Sequence, residues 1–108
     1  MTRSEVQKLS DELLLLKVAW LLGWKSIDKR YALFAHRGLS GRKPNDVDGI
    51  EHPVPDYPHD LNACHEMEKT IIKKGLVQDY VDHMFEENGE WHATARQRCE
   101  AFVLTMQK

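Results

Sequence analysis

The sequence predicts a mainly α fold, a compact bundle of three to four helices with a long irregular insertion after the first helix. Three observations carry this prediction. Four segments space their apolar residues at helical rather than alternating intervals. The same segments start and stop on residues suited to capping. Between Trp24 and Tyr57, by contrast, Gly and Pro recur and no helical stripe persists. With 108 residues, 42% of them apolar and 30% charged, the chain reads as a single domain over residues 1–108 with one modest core.

The first helix is expected at about residues 10–22, with a short turn near Ser4–Leu9 before it. Ser10 is placed to cap it, and Asp11 and Glu12 favour the positive end of the helix dipole. Gly23 suits the left-handed position just past its end. Leu13, Leu16 and Trp20 form one stripe, and Leu14, Val18 and Leu21 a second. A helix apolar around most of its circumference is either central to the bundle or part of an oligomer interface. The central position is the expectation, with a homodimer through this helix as the alternative.

The second helix is expected at about 60–74, capped by Asp60 or Tyr57 and ended by Gly75. Leu61, Cys64, Met67 or Glu68, and Ile71 give its spacing. The third is expected at about 76–87, on the stripe Leu76, Val77, Tyr80, Val81, Met84 and Phe85. Asn88-Gly89 then makes a turn, or closes a hairpin joining 81–86 to 91–93. The fourth, about 94–107, opens on a capping box of Thr94 and Gln97, and buries Ala95, Cys99, Phe102, Val103 and Met106. The first part of the insertion 25–57, Lys25–Arg37 with apolar Tyr31, Leu33 and Phe34, leaves room for a short β element or a helical turn. The Gly38–Pro58 part is expected to be irregular, because Pro44, Pro53, Pro55 and Pro58 oppose ladders and helices.

The net charge of −2 conceals a split. Residues 25–43 hold six basic side chains (Lys25, Lys29, Arg30, Arg37, Arg42, Lys43) and one acidic, Asp28, a net of +5. Residues 44–68 hold seven acidic side chains and no basic one, a net of −7. This balance excludes a uniformly basic nucleic-acid coat and a strongly acidic nucleic-acid mimic. Two cysteines, Cys64 and Cys99, are too few for a disulfide scaffold and are expected as buried free thiols. The apolar run Leu13–Leu22 is interrupted by Lys17 and too short to span a bilayer, so a cytoplasmic protein is expected.

Three stretches resemble small tailed-phage and prophage proteins. VAWLLGW at 18–24 is similar to the N-terminal helix end of phage proteins described as having an α-β-α sandwich domain. PDYPHDLNACHEME at 55–68 resembles the start of a helix in this group, and ATARQRCEAF at 93–102 resembles their C-terminal helix. The resemblance implies a virus-encoded accessory protein in the host cytoplasm, of a kind that acts by binding and blocking a host protein, antagonism of anti-phage defence included.

No catalytic set accompanies it. His65-Glu66 begins like a zinc-protease motif, but position 69 is Lys. Aligning Gly49 with the sixth position of a calcium loop puts Pro44 first and Pro55 twelfth, and neither supplies a carboxylate. No phosphate loop or nucleophile elbow is present. Neither enzyme activity, a metal nor a cofactor is expected. Two groups remain as binding candidates. Arg96 and Arg98, beside the Thr94 cap, could hold an anion at a helix start, or pair with acidic neighbours such as Glu90 or Glu100. Arg30, Tyr31, Arg37, Arg42 and Lys43 combine cations with aromatic residues in a manner suited to a nucleotide or single-stranded nucleic acid. Host-protein binding is the leading functional expectation, with nucleotide or nucleic-acid binding as the alternative.

Overall fold

The computed structural model describes residues 1–28, 40–44, 52–85 and 93–107. In chain order the elements are α1 (Arg3–Gln7), α2 (Asp11–Leu22), β1 (Lys25–Asp28), β2 (Ser40–Arg42), β3 (His52–Pro53), α3 (Leu61–Lys74), α4 (Val77–Phe85) and α5 (Ala95–Met106). The protein is thus mainly α, with a small antiparallel sheet in the order β1-β2-β3.

The helix ends lie where local chemistry places them. The Ser10 side chain accepts from Leu13 N, and Asp60 accepts from Asn62 N. Thr94 and Gln97 form a reciprocal capping box on α5, and Thr2 and Glu5 form another on α1. Gly23 (φ 101°) and Gly75 (φ 71°) are left-handed. Each closes its helix with a pair of bonds: Gly23 N to Trp20 O and Trp24 N to Ala19 O, then Gly75 N to Ile72 O and Leu76 N to Ile71 O. The third predicted helix is shorter than the sequence implies, since Leu76 precedes α4. Val81 to Phe85 are helical, which removes the hairpin alternative there.

α5 is the centre of the molecule. It packs against α1, α2, α3 and α4, and every residue from Cys99 to Thr105 is buried. The expectation that the first long helix is central is therefore corrected. α2 buries Leu14, Leu15, Val18 and Ala19 fully in the core, and Leu16, Leu21 and Leu22 pack against it half-buried. Its sequence looks more apolar than that of α5, but α5 carries the polar groups its burial requires already paired. Thr105 Oγ1 donates to Ala101 O at 2.8 Å, and buried Glu100 meets Arg96. Cys64 and Cys99 are buried free thiols in this core, and burial pushes the Cys99 thiol up.

The insertion holds the short β element that the sequence allows, and the correction is confined to Ser40–Arg42 and His52–Pro53, which are strands within the part expected to be irregular. β2 pairs with β1 and with β3, Ser40 opposite Pro53 and Gly41 opposite His52. Pro53 is tolerated because β3 is an outer strand of this sheet, where a missing N–H need not break a ladder. A Cβ on Gly41 would stand 2.9 Å from Lys25 O and 3.2 Å from Ile27 Cα, so the approach of β1 to β2 needs glycine. Ser26 is left-handed (φ 54°), and the β1–β2 register slips between Lys25 and Asp28. The sheet also joins the two charge blocks, since β1 and β2 come from the basic block and β3 from the acidic one.

No helix among the described residues is long and apolar enough to cross a membrane.

Candidate functional site

Arg96 and Arg98 are engaged with the protein itself. Arg96 Nε donates to Glu100 Oε2 at 2.9 Å, and Nη1 donates to Asp11. Its Nη2 donates to Leu9 O at 2.6 Å and to Gln7 O at 3.2 Å. A planar guanidinium can satisfy so many acceptors because its five N–H groups form a rigid fork. The effect is to clasp the α1–α2 turn onto the first turn of α5. Asp11 extends the clasp, with His59 Nε2 2.9 Å from its Oδ2, and His59 Nδ1 is 3.0 Å from Asp56 Oδ1.

Arg98 does the same on another side of α5. Its Nη1 donates to Glu68 Oε2 at 2.8 Å and its Nε to Ala93 O at 3.3 Å. Tyr80 Oη donates to the same Glu68 oxygen at 2.5 Å, so one carboxylate joins α3, α4 and α5. Burial, reinforced by this bond to Glu68, holds the Tyr80 hydroxyl well above its usual range. The Thr94 hydroxyl accepts from Gln97 N at 3.1 Å, and Gln97 Oε1 accepts from Thr94 N at 3.0 Å. The helix start that could offer donors to an anion thus spends the Gln97 N–H on its own cap and turns both guanidinium groups toward protein acceptors. Pairing with Glu100 was the alternative for Arg96. Glu68 as the partner of Arg98 was not foreseen.

Of the basic-aromatic group, Arg42 and Lys43 are exposed at the end of β2, while Arg30, Tyr31 and Arg37 lie outside the described residues. The described ones sit at the end of β2, whereas Arg96 and Arg98 sit in the first turn of α5. Acidic-block members pair elsewhere: Glu68 with Arg98 and Glu66 with Lys69. Among the described residues no three His, Cys, Asp or Glu side chains cluster to hold a metal.

A groove of about 790 Å³ runs along α2 and ends on β1. Leu9, Leu13, Leu16, Trp20, Trp24 and Ile27 give its apolar lining, and Lys17 and Lys25 are its charged lining residues. The groove exists because α2 has two apolar stripes. One is spent on α5. The other leaves Trp20 65% and Leu13 54% exposed. Large apolar side chains this open, adjacent and concave are the informative departure from an ordinary surface.

Local structure fixes the groove's shape. The left-handed cap at Gly23 turns the chain so that Trp24 folds back, 7% exposed. Its Nε1 donates to Tyr57 Oη at 3.1 Å, and burial, opposed by this bond, pushes the Tyr57 hydroxyl up to about 12. Lys17 Nζ sits 5.3 Å from the centre of the Trp20 ring, within cation–π range. A second, smaller groove of about 370 Å³ lies by Ile72, Val77 and Tyr80, and its charged lining residues, Glu68 and Arg98, answer each other.

Neither Trp20 nor Lys17 was among the residues the sequence singled out for binding. The signal was present in the second stripe, Leu13-Leu16-Trp20, which made an interface the alternative to a central helix. Set against known proteins, no family model matches the chain, and neither a curated protein nor a solved structure matches it.

Proposed function

We propose that this chain is a small non-enzymatic accessory protein that binds another protein through the α2 groove. The exposed Trp20, seated in a preformed apolar groove with a hydrogen-bonded Trp24 beside it, is the observation that carries this reading. Aromatic anchors in concave apolar surfaces contribute most of the binding energy in protein interfaces. The motif resemblance adds a setting: a phage-encoded protein acting in the host cytoplasm on a bacterial protein, with antagonism of host defence as its role.

A photo-crosslinking tryptophan analogue at position 20, which keeps the indole ring at the anchor, tests this. In bacterial lysate it should label a specific protein, and unmodified chain should compete that labelling away. The same residue at exposed Lys69, outside the groove, should not label it. Equal labelling from both positions, or none that unmodified chain competes, would refute the proposal.

A further inference from the structure

We infer that the groove receives an acidic amphipathic helix of a partner protein, an inference that rests on the protein-binding reading above and adds the chemistry of the partner. The first ground is shape. Leu13, Leu16 or Lys17, and Trp20 repeat along α2 over seven residues, roughly 10 Å at 1.5 Å per residue. A helix laid along this face offers anchors at i, i+3 or i+4, and i+7 over the same distance. The volume of about 790 Å³ holds several large side chains, and it lies within the roughly 300–1,000 Å³ typical of pockets that enclose ligands.

The second ground is charge. Both charged side chains that line the groove, Lys17 and Lys25, are basic, and no acidic side chain lines it among the described residues. Lys17 is held over Trp20, so its charge stands at the apolar centre rather than at a distant edge. A partner whose apolar stripe is flanked by Asp or Glu gains from both cations, whereas a basic one is repelled.

The same arrangement opposes a second copy of this chain. In a two-fold dimer one patch faces itself, which would bring lysines against lysines with no carboxylate among the described lining residues to answer them. Two lysines among the described lining residues are also few for a nucleic-acid backbone or an anionic bilayer, where affinity grows with each phosphate or headgroup neutralised.

The test uses the full chain and three labelled helical peptides, read by fluorescence anisotropy at physiological salt. One carries Leu, Phe and Leu at i, i+4 and i+7 with Glu on the flanking positions. The second replaces Glu by Lys, and the third keeps Glu but replaces the anchors by Ser. The Glu-flanked peptide should bind at least about tenfold more tightly than the Lys-flanked one, and the Ser peptide should not bind. Trp20→Ala should weaken the Glu-flanked peptide by about tenfold or more. The double variant Lys17→Glu, Lys25→Glu, checked for an unchanged circular-dichroism spectrum, should reverse the order of the two charged peptides.

Equal or tighter binding of the Lys-flanked peptide would overturn the acidic assignment and leave the groove as a protein-binding surface. Failure of both apolar peptides, with no competed crosslink from position 20, would overturn the binding reading as well. A dimer abolished by Trp20→Ala would make a second copy the occupant. Tighter binding to phosphatidylserine vesicles or single-stranded DNA than to the Glu-flanked peptide, lost in Trp20→Ala, would likewise overturn the inference.

Discussion

Two regions of this molecule look alike in character and differ in use. The start of α5 concentrates charge, as a binding site does, yet Arg96 clasps Gln7, Leu9, Asp11 and Glu100, and Arg98 joins Glu68. The exposed side of α2 concentrates apolar residues, as a core does, yet Trp20 and Leu13 face outward. Residue type therefore assigns neither region. What separates them is whether the side chains are answered within the chain. The guanidinium groups are answered and act as structural ties. The second apolar stripe leaves Leu13 and Trp20 open to solvent, and we propose recognition there.

The largest effect that would sharpen this contrast is Arg96→Ala. It takes the guanidinium from Glu100, itself only 5% exposed, and from the two backbone carbonyls. We expect a loss of about 2–4 kcal/mol in urea unfolding. Arg96→Lys should recover less than half of that, since one ammonium cannot span the fork's acceptors. Near-native stability of Arg96→Ala would return the α5 start to the list of binding sites.

Arg98→Ala should cost less, about 1–2 kcal/mol, because Tyr80 still donates to Glu68. Tyr57→Phe should cost about 1 kcal/mol by removing the acceptor of Trp24 Nε1. It should also loosen the groove floor, weakening the Glu-flanked peptide by about threefold, roughly half a kcal/mol. Trp20→Ala should give the smallest change in stability, within about 0.5 kcal/mol, together with the largest loss of peptide binding. A stability loss of about 2 kcal/mol or more in that variant would mean that Trp20 packs within the chain, and the contrast between the regions would collapse.

Features set by a few neighbouring residues were legible in the sequence. The Ser10, Asp60 and Thr94–Gln97 caps and the left-handed Gly23 and Gly75 need only local bonds, so the helices fall close to their predicted bounds. A short strand within 25–37 was legible, and β1 lies there, but the pairing that makes it a sheet was not. Its strands have four, three and two residues, too short to display a period of two, and two of them carry Gly41 and Pro53. Those residues are there for close approach and an outer-strand position, which only the paired strand reveals. The identity of the central helix was hidden for a related reason. Arg96, Arg98 and Glu100 make α5 look solvated until it is known that the two arginines reach Asp11 and Glu68 and that Glu100 is held by Arg96. The candidate site was half legible. The second stripe on α2 was visible in the sequence, but which stripe meets α5 is a tertiary fact.

One titration reads both regions at once. In a nitrogen-15 spectrum of the full chain, the indole signals of Trp20 and Trp24 report the groove, and the Nε signals of Arg96 and Arg98 report the clasps. On adding the Glu-flanked amphipathic peptide, the two indole signals should move and saturate while both arginine signals stay in place. Movement of the arginine signals with the indoles unchanged would contradict the account.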